Sequence, residues 1–128
     1  MDAPLILLAD DEESVRSYVS AILDRAGYRL LQARDGVEAL ELARAHGPID
    51  LVLTDVRMPR MDGIALANAI LGETPAVPVI YISGYPLPMA EEDSHACVAL
   101  AKPFTRQALL DAIGKCLQKT RNAGGSDC

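Results

Sequence analysis

No apolar stretch among the 128 residues approaches the roughly 20 needed to cross a bilayer. The first residues lack the basic, apolar and cleavage segments of a secretory leader, so a cytoplasmic protein is expected. Cysteine is scarce and odd in number. Cys97, Cys116 and Cys128 have neither metal-ligand nor redox-pair spacing, and a domain of this size needs no staples, so reduced thiols are expected. There is no G-x-G-x-x-G, and Gly114-Lys115-Cys116 is not a P-loop lysine, which removes support for dinucleotide and P-loop enzymes. Positive charge is short as well. Twelve Lys and Arg against 18 Asp and Glu give a net charge of −6, which disfavours nonspecific contact with nucleic acid or an anionic membrane. No internal repeat is evident.

What the chain does have is apolar substance, 50% of its residues, enough for one domain with a real core and no room for a second. The domain is expected over residues 1–120, and the polar, Gly-rich 121–128 is expected to be a disordered tail. Four short apolar runs each end in a chemically active polar group. Leu5-Ile6-Leu7-Leu8-Ala9 ends in Asp10-Asp11-Glu12, and Leu51-Val52-Leu53-Thr54 ends in Asp55. Val79-Ile80-Tyr81-Ile82 ends in Ser83, and Val98-Ala99-Leu100-Ala101 ends in Lys102. Runs of this kind are what parallel strands covered on both faces look like, and open α/β sheets bind ligands outside the carboxyl ends of their strands. The four sites are therefore expected to converge at one sheet edge.

Helices are expected between the strands. Val15, Tyr18, Val19 and Ile22 recur at helical spacing, with Gly27 as a left-handed stop, and Tyr28 to Ala33 reads as an edge strand. A second helix begins at Asp35-Gly36, turns Val37, Leu40, Leu42 and Ala43 inward, and stops at Gly47-Pro48. A third follows the loop Met58-Pro59-Arg60-Met61-Asp62-Gly63, with Ile64, Ala67, Ile70 and Leu71 inward and Gly72 at its end. Between Ser83 and the fifth strand, Gly84, Pro86 and Pro88 obstruct regular structure, leaving a short or frayed helix over Met89 to Cys97. Thr105 is a plausible cap for a last helix presenting Leu109, Ile113, Cys116 and Leu117.

Taken singly, Asp10-Asp11 could be a turn or a helix cap, Asp55 a turn residue, Ser83 a loop hydroxyl and Lys102 a solvated charge. Jointly, four loops offering these groups at one edge are hard to attribute to turn chemistry. Three carboxylates, a hydroxyl and an ammonium suit a hard divalent cation and a phosphoryl group rather than thiol, hydride or acyl chemistry. Two carboxylates and a main-chain carbonyl can hold Mg2+ beside a phosphoryl group. A carboxylate such as Asp55 can attack phosphorus to give an acyl phosphate once metal and lysine neutralise the charges, and Ser83 can donate to a phosphoryl oxygen.

Asp10-Asp11, Asp55 with Met58-Pro59 and Asp62-Gly63, Ser83-Gly84, and Lys102-Pro103-Phe104 occur in an order and at distances that resemble the receiver domains of two-component response regulators. The resemblance covers Leu5 to about Leu117. It implies a flavodoxin-like (CheY-like) α/β fold, a doubly wound five-stranded parallel sheet in the order 2-1-3-4-5. It also implies that Asp55 is the phosphoacceptor, that Asp11, Asp55 and the main-chain carbonyl of Arg57 ligate Mg2+, and that Asp10 acts in the metal's outer shell. Ser83 would be the switch hydroxyl and Lys102 the phosphoryl-binding cation, aimed by a cis bond to Pro103. Ile82-Ser83-Gly84-Tyr85 and Lys102-Pro103-Phe104-Thr105 look like receivers of hybrid histidine kinases and their stand-alone relatives. Two features depart from the family: Ala99 stands where many receivers carry an aromatic switch partner, and the fourth-helix region is short.

The implied partner is a histidine kinase or a histidine phosphotransfer protein. No contact of the domain with nucleic acid or membrane is expected, and a phosphorylation-dependent protein partner or a homodimer could carry the output. Switching would run through Gly84 to Cys97, and Arg57 with Tyr85 would shield the phosphorylated residue from water. The expected protein is not an enzyme in the ordinary sense but a phosphoacceptor with self-catalysed phosphorylation and slow dephosphorylation. One alternative is a haloacid-dehalogenase-like Mg2+-dependent phosphatase. Against it, Arg57 stands where that family has a second acid, and the nucleophile would be on the third strand rather than the first. Another is a receiver-shaped binding module indifferent to phosphorylation, against which the complete acidic site argues.

Overall fold

A computed structural model of the chain describes residues 3–84 and 96–122. The first apolar run forms β1 (Leu5–Ala9), and α1 (Glu13–Ala26) follows. Gly27, at φ 89°, closes α1 in the left-handed conformation that glycine adopts without a Cβ clash. Next come β2 (Arg29–Ala33), α2 (Gly36–His46) and β3 (Leu51–Asp55), then α3 (Gly63–Glu73), β4 (Val79–Ser83), β5 (Ala96–Ala101) and α4 (Arg106–Asn122). Three helices start on side-chain caps: Asp35 accepts from Glu38 N at 2.8 Å, Asp62 from Ala65 N at 2.8 Å, and Thr105 Oγ1 from Ala108 N at 3.0 Å. Each cap satisfies an amide that the first helical turn leaves without a partner.

The strands form one parallel sheet in the order β2-β1-β3-β4-β5. Every residue of β1, β3 and β4 is buried, the expected outcome for apolar runs covered on both faces, while the edge strand β2 is partly exposed. Alternate strand residues feed two cores. Leu7, Val52, Val79 and Tyr81 pack with Ala39 of α2 and Leu66, Ala67 and Ile70 of α3. Ile6, Leu8, Leu53, Ile80 and Ile82 pack on the other face with Val19, Ile22 and Leu23 of α1 and Leu109, Ile113 and Cys116 of α4.

Several expectations need correction. In α3 the fully buried row is Gly63, Leu66, Ala67 and Ile70, while Ile64 and Leu71 only flank the core; Gly63 is pressed on the Asp55 carbonyl, and that close approach sets which row faces the sheet. Gly72 does not end the helix, which continues through Glu73 because a glycine without positive φ can stay helical. In α2, Leu40, Leu42 and Ala43 pack on the core as expected, but the fully buried side chain is Ala39 and Val37 is only half-buried. Ala96 and Cys97 lie in β5 rather than in a helix: Ala96 pairs with Val79 and Val98 with Ile80, and Cys97 falls at the register shift between them. The last helix runs through Arg121 and Asn122, past the expected boundary at 120. Residues 123–128, and the Met89 to His95 part of the expected short helix, lie outside the described residues. Cys116 is buried in the core between the sheet, α1 and α4.

Candidate functional site

The sheet order brings the ends of β1, β3, β4 and β5 to one edge, and with them Asp10, Asp11, Asp55, Ser83 and Lys102. Asp55 is the last residue of β3, aligned with Ile82 of β4. Ser83, the last of β4, aligns with Ala101, and its carbonyl accepts from Lys102 N at 2.7 Å, so the two strand ends are tied at the backbone. The Lys102-Pro103 bond is cis, as the resemblance implied.

Carboxylate oxygens of Asp10, Asp11 and Asp55 lie within 4.8 Å of one another. Asp10 and Asp55 are buried and Asp11 is exposed. Asp10-Asp11 is not the cap of α1: Glu12 occupies the cap position, and Asp10 Oδ1 instead accepts from Glu12 N at 2.9 Å, turning the loop inward. The ammonium of Lys102 stands 2.9 Å from Asp10 Oδ2, 3.1 Å from Asp55 Oδ2 and 3.1 Å from Glu12 Oε1. Burial pushes the Asp10 carboxyl above its ordinary range, with the Glu12 amide and Lys102 opposing the shift and Asp55 adding to it. Burial works against the charge on Lys102 too, but Asp10, Asp55 and Glu12 outweigh it and hold the ammonium well above its usual value. One cation among these carboxylates leaves the cluster net negative.

Asp10 Oδ2 is buried and receives no aligned hydrogen bond, its approach to Lys102 being a charge contact. Three clustered carboxylates, one with a buried oxygen that lacks an aligned hydrogen bond, are the donor set of a hard divalent cation, which prefers oxygen ligands and retains water. The residues therefore fit Mg2+. When bound, the ion would supply positive charge against both the acceptor carboxylate and an incoming phosphoryl group.

Three contributors had no expected role at the site. Glu12 shares Lys102 with the aspartates, and the acidic triplet after β1 was its signal. Arg16 Nη1, one turn into α1, donates to Asp10 O at 2.7 Å, a contact across a helix turn that no pattern in the sequence marks. Gly63 N donates to Val56 O at 2.8 Å, and its Cα lies so near the Asp55 carbonyl that a side chain there would collide. The Arg57 amide lies 3.3 Å from Asp55 Oδ1, with the Arg57 side chain exposed, while Tyr85 falls outside the described residues.

The sequence matches the response regulator receiver domain family over residues 6–114. The chain belongs to that family. Among similar proteins, the transcriptional regulatory protein PdtaR of Mycobacterium tuberculosis is 38% identical over 91% of this receiver and 58% of its own length. The response regulator receiver protein CpdR of Brucella abortus is 35% identical over 88% of this chain and 95% of its own. The signal receiver domain of an HD domain-containing protein from Pseudomonas fluorescens superposes with a TM-score of 0.86, at 31% identity, covering 94% of this chain and 98% of that one. The receiver thus spans a little over half of one such relative and nearly all of another. Its flavodoxin-like fold and its place as a phosphoacceptor of two-component signalling follow, and nothing supports the dehalogenase-like phosphatase. Among the described residues no helix is long and apolar enough to cross a membrane.

Proposed function

We propose that Asp55 takes a phosphoryl group from a phosphohistidine on a histidine kinase or a histidine phosphotransfer protein, with Mg2+ held by Asp11, Asp55 and the Arg57 main-chain carbonyl. Asp10 would act in the metal's outer shell, where its Oδ2, which has no aligned hydrogen bond, could accept from a metal-bound water. The carrying observation is the 3.1 Å approach of Lys102 Nζ to Asp55 Oδ2 beside the three clustered aspartates.

In the transfer, an Asp55 carboxylate oxygen forms a bond to phosphorus while the phosphorus–nitrogen bond to the donor imidazole breaks. The electron pair leaves with the ring nitrogen. Lys102 follows the negative charge from the carboxylate to the phosphoryl oxygens, and Ser83 at the neighbouring strand end donates its hydroxyl to one of them. Because this chemistry is mostly positioning and charge, a small donor serves in place of the kinase, and later attack by water returns the free carboxylate. The reading places the domain in the cytoplasm, where a phosphorylated kinase is at hand.

Intact-mass measurement after incubation with acetyl phosphate and Mg2+ tests this. One phosphoryl group is expected on the wild type, none on Asp55→Asn and none in the presence of a chelator. A label persisting on Asp55→Asn would move the acceptor elsewhere.

A further inference from the structure

The loop joining β3 to α3, residues 56–62, carries Arg57 and is anchored at two points. Its root is closed by Gly63 N on Val56 O at 2.8 Å, directly under Asp55. Its tip lies on the loop between β2 and α2, where Arg60 Nε donates to Asp35 Oδ2 at 3.0 Å and Arg60 Nη2 to Asp35 Oδ1 at 3.2 Å. Beside this fork Gly36 N donates to Met61 O at 3.1 Å, and the backbones are so close that a Cβ on Gly36 would meet Met61 O at 2.5 Å.

Arg60 itself is in the left-handed region at φ 67°, a conformation that glycine or asparagine usually takes. A long cationic side chain is there nonetheless, and its planar fork is used in full on a carboxylate that also caps α2. Asp35 is held from two sides by Arg60 and the Glu38 amide, so it is a fixed post rather than a mobile surface acid. The loop that must present a main-chain oxygen to the ion beside the Asp55 carboxylate is thus held between that post and the end of β3.

We propose that the Asp35–Arg60 fork, with Gly36 N on Met61 O, is a clasp that sets the loop from Val56 to Asp62 and thereby the affinity of the site for Mg2+. Arg60 and Asp35 are then positioning residues for phosphorylation, touching neither metal nor phosphoryl group. The inference rests on the reading of the site given above.

Three variants divide the clasp into its parts. Arg60→Gly keeps the left-handed backbone and removes the fork, Arg60→Lys keeps the charge and loses the bidentate geometry, and Asp35→Asn keeps a cap acceptor without the charge. Arg44→Gln is the control, since Arg44 Nε and Nη2 both donate to Glu73 Oε2 in an exposed ion pair at the opposite ends of α2 and α3. Calorimetric titration with MgCl2 at constant ionic strength is expected to show Arg60→Gly binding about three- to tenfold more weakly, at the low end of what an outer support contributes because the pair is partly solvated. Arg60→Lys and Asp35→Asn should fall between it and the wild type, and Arg60→Gly/Asp35→Asn should bind no more weakly than Arg60→Gly. Phosphorylation by acetyl phosphate should slow at limiting Mg2+ and recover at saturating Mg2+, a split that a loss of stability alone would not produce.

Mg2+ affinity within about twofold of wild type in both Arg60 variants, or an equal loss in Arg44→Gln, overturns the clasp while leaving the phosphoacceptor site intact. A wild type that neither binds Mg2+ nor gains a phosphoryl group overturns the reading of the site and the clasp with it.

Discussion

Asp10 Oδ2 and Lys102 Nζ, from opposite ends of the chain, meet 2.9 Å apart at the carboxyl edge of the sheet, with Asp10 fully buried. The contact offsets only part of what it takes to hold a buried carboxylate beside Asp55 without a metal. The folded-state pKa of Asp10 is raised, so the ionised form is less favourable folded than unfolded, and at neutral pH the residue subtracts from stability. Asp10→Asn is therefore expected to melt higher than wild type in EDTA, by a few degrees at about 3–5 °C per kcal/mol for this size. Lys102→Met should do the reverse, since it strips the cation from the buried carboxylates. Thermal unfolding followed by circular dichroism checks both, and a lower melting temperature for Asp10→Asn would contradict the sign.

Added Mg2+ should stabilise the wild type because only the folded chain assembles the carboxylates. At ten times the dissociation constant the gain is about 1.4 kcal/mol. Asp11→Ala removes an exposed ligand without disturbing the core and should abolish the gain. Equal sensitivity to Mg2+ in both proteins would remove Asp11 from the ligand set.

Asp35 shows the opposite titration. Arg60 first, then the Glu38 amide, hold its carboxyl below the usual carboxylate range. The linked stability is fully present above the unfolded value of about 3.9 and is lost as pH falls through the lowered folded value. Urea midpoints measured from pH 6 downward should show wild type exceeding Asp35→Asn by a constant margin that shrinks only below about pH 4. A margin already changing near pH 6 would point to another group.

Two glycines should respond in opposite directions to alanine. A Cβ at Gly63 would run into the Asp55 carbonyl, a backbone atom that cannot step aside, so Gly63→Ala should destabilise by about 1–3 kcal/mol and slow phosphorylation. Gly114, inside α4, has nothing within 4 Å of its would-be Cβ. Gly114→Ala should stabilise by about 0.5–1 kcal/mol and leave phosphorylation unchanged. Chemical denaturation paired with the acetyl phosphate assay reads both, and a neutral Gly63→Ala would show that the contact can relax.

Much of the fold was legible because it is written in local signals. The burial of β1, β3 and β4 on both faces follows from their unbroken apolar runs, and Gly27 and Thr105 punctuate the helices by their own backbone and hydroxyl chemistry. The identities of the site residues were legible for the same reason, each being the polar group that ends such a run. Where the local signal is weaker, helical spacing alone does not decide the buried face. Leu66 rather than Ile64 became the buried residue of α3 because both positions satisfy helical spacing, and the close approach of Gly63 to β3 chooses between them.

The sequence by itself determined which chemistry this protein has: the apolar period sets the strands, and the type of residue at each strand end sets a carboxylate, hydroxyl or ammonium there. Only the tertiary structure decided how those groups share charge. That Lys102 is divided among Asp10, Glu12 and Asp55, that Asp10 Oδ2 has a charge contact but no aligned hydrogen bond, and that Arg60 reaches Asp35 depend on strand order and loop packing between residues far apart in the chain. Periodicity and capping act over a few neighbouring residues, whereas electrostatic and hydrogen-bond geometry is set by distance in space, which exists only once the sheet has formed.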